Sequence, residues 1–520
     1  TLPASGCWNR STGVAHEQRH GDPVSTPRSS SPPPRFAERR RRDPGTTEVA
    51  LGIDVGTTSV KVLLLDAAGE VVASASHQHG ISEAAGLVEV DAESWWESFR
   101  AALAELEVGR HRIAAIGFSG NMSSVVVVDE ELTPLLPAVL LADTRGSTQL
   151  RGLGDDLTAR IVAGTGNLPE AVFSLSTLLW LRDERPDLLG RAHAVLTAKD
   201  YLRARLTGVL AAEATDSANT LLIRDGAWDD ALIDALGLPR AVFPPLLSSD
   251  GDGGFVTPPA AAQTGLPAGT PVALGAGDVQ AALVGSGGLP SDSLAVSLGT
   301  SATVMVPLPG GALPPELTGK LTVHPDADGG TIALGSLLTG GLALNWLRDT
   351  LGLSGLAEVT SLPLDADLHF LPYLAGSGSP DFVGELRGTV FGLTPATRPA
   401  ELYAALLEAI AFDIADLVDA VDGSYRSVLV SGGGSRIGAW PQVLADVIGT
   451  PVTCYHAPDL SAIGAAILAW RRIGVPVRPG GGHTVVPPRP ELRPRWQQRR
   501  SAHQRARQAA LAYYTDRSQP

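Results

Sequence analysis

From residue 49 the chain alternates short apolar strands with amphipathic stretches. "VALGIDVGTTSVKVLLLDAAGEVVAS" (49–74) keeps a period of two, breaks at Asp-Val-Gly-Thr-Thr, resumes, and turns again at Ala-Ala-Gly. That pattern predicts strand–turn–strand, with an acid, a glycine and two threonines at the first tip. "RIAAIGFSG" (112–120) and "SSVVVVDEE" (123–131) predict further strands. The helical period appears in "DAESWWESFRAALAEL" (91–106), with Asp91 as N-cap and Glu93 in the first turn. It returns over 176–186, over 198–208 with Gly208 as C-cap, and over 401–421. Residues 494–514 predict a surface helix. A second strand–turn–strand, "DSLAVSLGTSATVMV" (292–306), again puts Gly-Thr-Ser at its tip. Strands alternating with helices predict an α/β fold, and the repeated hairpin predicts two related domains facing each other.

Composition adds scale. A chain of 520 residues, 44% hydrophobic, can bury two full cores. No apolar run approaches the ~18–20 residues of a membrane helix. The two cysteines, Cys7 and Cys454, lie far apart, which argues against a disulfide framework and fits a reducing cytoplasm. Net charge is −15, yet residues 1–47 carry eight Arg against four acids, and residues 489–520 carry eight against two. An acidic body with basic ends is a poor nucleic-acid binder. Residues 1–47 are rich in Pro, Ser and Arg with no hydrophobic period, and predict a disordered tail without a secretory core. A chain beginning at Thr47 is therefore expected to match the full chain in melting temperature and activity. A substantial fall in either would mean that the tail packs on the body. The organisation expected is a tail (1–47), two domains (48–288 and 289–488) and a basic C-terminal helix (489–520).

The chemistry gathers at the tips. Glycine in a hairpin tip lets backbone approach a ligand closely, and successive N–H groups there form an anion-binding concavity. Asp54 beside Gly56, Thr57 and Thr58 would repel a phosphate unless a cation lay between them, so this tip suits a metal–phosphate complex. The second tip, Gly299-Thr300-Ser301, repeats the donors. A third glycine cluster, "VLVSGGGSRIGAW" (428–440), places Gly432, Gly433 and Gly434 after a strand, where backbone can lie flat against a base or ribose. "LTGGLALNW" (338–346) sets Gly340 and Gly341 at the head of another helix. Together these describe a nucleotide held between two domains. Asp278 in "LGAGDVQAALVG" opens a small-residue helix after Gly275 and Gly277, and its carboxylate can project into such a cleft. The eleven histidines show no metal-ligand spacing and read as surface or loop residues. Trp95 and Trp96 read as interdomain packing. No Walker-type loop and no G-x-S-x-G elbow occurs.

The stretches "GIDVGTTSVK", "GFSGNM", "ADTRG", "LLWLRDERP", "AKDYLRARLTG", "EATDSANT", "GAGDVQAA", "SLGTSA", "FLPYLAGSGSP", "RGTVFGL" and "SGGGSRIGAWPQVLADVIGTPV" occur in the order and spacing of the FGGY carbohydrate kinases. The resemblance spans about residues 49–470 and is greatest to the xylulokinase-type branch. It implies two actin-like/ribonuclease-H-like domains, ATP, Mg²⁺ and phosphoryl transfer to a sugar or polyol, with a ketopentose favoured over a sugar acid or tetritol. It leaves room for a homodimer. It also implies roles: Asp278 as proton acceptor, and Asp54, with Asp278, at the metal. Gly56, Thr57, Thr58, Lys61, Gly299, Thr300, Ser301, Gly340, Gly341 and Gly432–Gly434 would meet ATP, the last three at the adenosine. Asn121, Met122, Ser123, Asp143, Arg145 and Asp278 would line the sugar pocket. The chain departs from the xylulokinase pattern there. Ser123 stands in a His position, Asn121 in a Gln position, Leu141 in a Trp position and Thr177 in a Lys position. A kinase of the same family that is weak on D-xylulose itself is the expectation. A catalytically silent sensor on the same fold is the alternative from another class.

Overall fold

A computed structural model describes residues 47–352, 367–421, 425–457 and 459–516. The expectation for the tail falls, apart from Thr47, outside the described residues.

The first sheet is built from β1 (Glu48–Val55), β2 (Ser59–Asp66), β3 (Val71–Gln78), β4 (Arg112–Gly120), β5 (Asp252–Phe255), β6 (Pro271–Ala273) and β7 (Ala276–Gly277). Its order is β5-β6-β4-β1-β2-β3, with β7 also pairing β4. β1, β2 and β3 run antiparallel, as the two turns in the sequence require, while β4 lies parallel to β1. Helix α1 (Ala92–Glu105) starts where Asp91 accepts the Glu93 N–H. Helix α2 (Ala198–Thr207) ends at Gly208 in the left-handed region, φ 73°. Helix α3 (Asp278–Gly285) follows β7 directly.

The second sheet contains β8 (Ser293–Leu298), β9 (Ala302–Pro307), β10 (Thr322–Pro325), β11 (Thr331–Leu337), β12 (Ser427–Ser431), β13 (Val452–Tyr455) and β14 (His483–Val486). Its order is β10-β11-β9-β8-β12-β13-β14. β8, β9 and β11 form an antiparallel run, and β12 lies parallel to β8. The first sheet's plan thus recurs: a hairpin at the centre, an antiparallel neighbour on one side, parallel strands on the other. Around it lie α4 (Gly341–Leu351), α5 (Pro399–Ala420) and α7 (Arg493–Asp516), while α6 (Leu460–Arg472) follows β13.

Helix α6 crosses to the first sheet, and glycine makes that crossing possible. A Cβ on Gly52 of β1 would fall on the carbonyl oxygen of Ala462, and one on Gly117 of β4 on that of Ala465. Gly464 of α6 meets the carbonyl of Ala281 in α3 in the same way. The rest of this layer is small and apolar: Ala50, Ala115, Ala276, Ala462 and Ala466 are all fully buried. Trp470 closes one end, its indole N–H donating to Leu65 O at 3.1 Å.

Four expectations are corrected. Only Val126–Val128 of 123–131 forms a strand. Ser123 has a left-handed backbone (φ 63°), and the Asp129 carboxylate caps a turn by accepting from the N–H groups of Glu131 and Thr133. Trp95 and Trp96 pack inside the first domain's own core with Phe99 and Tyr201, not between domains. Helix α7 is more than a surface helix. Trp496, His503 and Ala510 are buried, and Arg499 reaches the buried Glu408 of α5, its Nε 2.8 Å from Oε2. A residue-by-residue polarity pattern cannot show that an arginine has an acid waiting for it. His324 and His369 are buried as well, so the histidines are not uniformly surface residues.

Candidate active site

The two hairpin tips are built alike. Gly56 N–H donates to Ser59 O at 2.9 Å, and Gly299 N–H donates to Ser301 O at 2.9 Å. These bonds fold each tip tightly and leave Thr57 and Thr58, and Thr300 and Ser301, exposed. His79 supports the first tip, its Nε2 lying 2.9 Å from Thr57 O. The second tip is held from below by the head of α4. Gly341 N–H donates to Gly299 O at 2.9 Å, and the Gly340 and Leu342 N–H groups donate to Thr300 O at 3.2 and 2.8 Å. Gly340 and Gly341 thus shape the loop by close packing; a Cβ on Gly340 would lie 2.9 Å from the Ser301 carbonyl carbon.

The third glycine cluster divides its labour. Gly432 (φ 78°) and Gly434 pack against Leu298, at the end of β8, whereas Gly433 is open. An open cleft of about 1010 Å³ brings Gly299, Thr300 and Gly341 together with Gly433 and Gly434. Asn345, Arg348, Tyr403 and Arg436 share its wall. Asn345 and Arg436 lie inside the glycine stretches quoted above but were not singled out there, whereas Arg348 and Tyr403 reach this wall only through tertiary packing.

Beneath the first tip lies a group of charges. Asp54, at the end of β1, is buried, and its Oδ1 accepts from Ser119 Oγ at 2.8 Å. Lys61 Nζ stands 3.9 Å from Asp54 Oδ2 and 2.7 Å from Asp459 Oδ2. Asp459 caps α6, accepting the Ala462 N–H at 3.0 Å, so a local reading sees only an N-cap. Burial first, then the negative charge of Asp459, pushes the Asp54 carboxyl up to about 7, against the pull of Lys61. Burial also pushes Asp278 up, to about 6, while the Val279 N–H on its Oδ1 (2.8 Å) opposes that. Three acids face one lysine, a surplus of negative charge that favours a cation. Among the described residues, no group of three or more His, Cys, Asp or Glu is placed to hold a metal by itself. The oxygen donors present, Asp54 and Asp278, are of the kind that a hard divalent cation takes beside phosphate oxygens.

Asp278 opens onto a second cleft, about 680 Å³, against the hydroxyls of Ser297, Thr303 and Ser431 on the second sheet. The Asp278 carboxylate and the second hairpin therefore face one space. On the other side, Met122 lies against Gly277: a Cβ there would be 3.0 Å from Met122 Cγ. Ser123 is buried with its hydroxyl unpartnered. Asn121 is turned inward, its Nδ2 donating to Val55 O at 2.9 Å. Asp143 and Arg145 hold each other, Nε to Oδ1 at 2.8 Å and Nη2 to Oδ2 at 2.7 Å. Arg145 also binds Glu89 at 2.7 Å and stacks 4.9 Å above Trp180. Leu141 is 48% exposed, and Thr177 is buried in the helix that carries Trp180.

One sheet plan met twice, each with a phosphate-type hairpin at its centre, is the actin-like arrangement of enzymes that hold ATP between two domains. The likeness is not to the fold alone. The chain belongs to the FGGY family of carbohydrate kinases, whose N-terminal domain matches residues 49–285 and whose C-terminal domain matches 294–472. It is 32% identical over 436 residues to the xylulose kinase of Escherichia coli K12, covering 81% of this chain and 89% of that one. It is 33% identical over 462 residues to a glycerol kinase of Methylobacterium nodulans, covering 82% and 90%. The crystal structure of a xyloylose kinase from Brucella ovis superposes with a TM-score of 0.81 at 29% identity, covering 89% of this chain and all of that one. The protein is an ATP-dependent carbohydrate kinase. Among the described residues, no helix is long and apolar enough to cross a membrane.

Proposed function

We propose that this kinase transfers the γ-phosphoryl group of ATP, as its Mg²⁺ complex, to a small ketose or polyol, with xylulose-like ketopentoses as the first class. The observation that carries this reading is Asp278, placed at the start of α3 on a cleft shared with the second hairpin. In the step, the acceptor oxygen forms a bond to the γ-phosphorus, the bond to the β,γ-bridging oxygen breaks, and the hydroxyl proton passes to an Asp278 oxygen. ADP leaves. Such a transfer depends mainly on positioning and charge neutralisation. Mg²⁺, held near Asp54 and Asp278, would supply that neutralisation. The exposed donors of Thr57, Thr58, Thr300 and Ser301 would hold the phosphates, with Lys61 beside them. Gly432, Gly433 and Gly434 would lie along the adenosine. Cytoplasm is the compartment that supplies ATP and suits the two separated cysteines.

The acceptor is expected to be neutral, and D-xylulose a poor one. Arg145, the cation of the sugar-pocket motif, is already neutralised by Asp143 and Glu89, which disfavours a sugar acid. Ser123 is shorter than an imidazole, and Leu141 offers no aromatic face. A site hydroxyl left unmatched on burial costs ~1–3 kcal/mol, enough to demote a substrate by one or two decades. The test is kcat/KM for D-xylulose beside other ketoses, glycerol, tetritols and aldonates. D-xylulose is expected to trail the best acceptor by at least tenfold. If it led the panel at an ordinary efficiency, ~10⁴ M⁻¹s⁻¹ or above, D-xylulose would be the substrate. No turnover with any acceptor would favour the sensor.

A further inference from the structure

Two of the family-like stretches, "AKDYLRARLTG" and "EATDSANT", contribute nothing to the walls of the two clefts. In the fold they meet directly behind Asp278. Strand β7, which delivers Asp278, is only two residues long and pairs with β4 at Ser119 and Gly120. So short a strand leaves its position to other bonds. Gly277 N–H donates to Thr215 Oγ1 at 2.9 Å. Gly275 N–H donates to Ser249 O at 2.8 Å. Both supports converge on one carboxylate: Thr215 Oγ1 donates to Glu213 Oε1 at 2.9 Å, and Ser249 Oγ to Oε2 at 3.3 Å.

Glu213 is itself immobilised. It is wholly buried and accepts further bonds from the N–H groups of Thr215 (2.7 Å) and Asp216 (3.0 Å). Lys199 Nζ lies 3.1 Å away, also wholly buried, and is shared with Asp200 at 3.0 Å. Gly120 lets Lys199 approach, since a Cβ there would be 2.9 Å from Lys199 Cβ. A buried ion pair contributes little net stability once its desolvation is counted. Its cost is better explained by what it holds in place.

We propose that Glu213 and Thr215 form a positioning bracket for Asp278. Lys199 fixes the Glu213 carboxylate, Thr215 passes that position to the Gly277 amide, and the next residue is Asp278. The bracket also registers the acceptor side, because Gly277 has Met122 against it. Thr215 and Glu213 act through Asp278 and touch neither ATP nor acceptor. This inference rests on Asp278 being the proton acceptor.

The experiment compares full-length Thr215→Val, Thr215→Ser and Asp278→Asn with wild type. Valine matches threonine in shape but can neither accept from Gly277 nor donate to Glu213. Misplacing a reacting group by ~1 Å can cost on the order of 10²-fold, so Thr215→Val is expected to lower kcat about ten- to hundredfold. KM for ATP should stay within about twofold, because both hairpins are untouched. Thr215→Ser keeps the hydroxyl and should recover most of the turnover. Wild-type kcat in Thr215→Val overturns the bracket, as does a loss that serine fails to rescue or that raises KM for ATP in parallel. Should Thr215→Val fail to fold, Ser249→Ala, which keeps the carbonyl bond to Gly275 but releases the Oε2 end of Glu213, is expected to lower kcat several-fold at unchanged KM for ATP; wild-type kcat there overturns the proposal. Asp278→Asn separates the two readings. If it keeps turnover, the Asp278 assignment fails and the bracket with it. If it is inactive while Thr215→Val is normal, only the bracket fails.

Discussion

Asp278→Asn is expected to lower kcat by ~10²–10⁴, the usual cost of removing a general base, while the protein stays folded and still binds ATP. Asparagine has the same shape, and its side-chain oxygen can still accept the Val279 N–H that now meets Oδ1. What it loses is the ability to take a proton. Burial holds the Asp278 carboxyl at about 6, close to where a base works best near neutral pH. Nothing in the substitution touches the hairpins, and one fewer negative charge near Asp54 relieves repulsion. A coupled assay of ADP release, run beside a thermal melt and ATP titration, decides it. Turnover near wild type in a well-folded variant would remove Asp278 from the chemistry.

The largest structural effect is expected from Gly464→Ala. Helix propensity alone favours alanine over glycine by ~1 kcal/mol in a helix interior. Packing opposes it. The new methyl would fall on the carbonyl of Ala281, and a backbone atom can move only if α3 and α6 part. Overpacking of that kind costs ~1–3 kcal/mol and occasionally more. The backbone obstacle puts this site at the upper end, so a net loss of about 2 kcal/mol or more survives the propensity gain. The melting temperature should fall by several degrees. KM for ATP should rise, because α6 carries Asp459, the partner of Lys61. Gly190→Ala is the control: it is also helical but has open space around it, and should be neutral or mildly stabilising. A Gly464→Ala protein that melts with wild type would mean the two helices are not locked at this crossing.

The sugar pocket shows where reading by motif reaches its limit. Asp143 and Arg145 stood in the expected order, but the sequence cannot say whether an arginine faces a substrate or a neighbouring acid. In the fold Glu89 and Asp143 occupy it, and Trp180 covers its face. Ser123 shows the same limit. Its hydrophobic neighbours predicted a strand, yet its left-handed backbone turns the chain out of the sheet before Val126.

Everything carried by local pattern was legible in the residues alone. The period of two, broken by Gly-Thr at both tips, determined both hairpins. Asp91 and Gly208 determined where α1 begins and α2 ends, because capping is settled within one helical turn. The glycine-bearing hairpin tips and the helix that Asp278 opens were legible for the same reason: both are set by close chain neighbours. Tertiary structure alone decided which distant charges meet. It brought Asp459 to Lys61 and Asp54, Arg499 to Glu408, and Glu213 and Thr215 behind Asp278. Each of these is an ordinary cap, surface charge or turn residue when read locally. Its meaning comes from burial, which strips away water and makes one particular partner necessary.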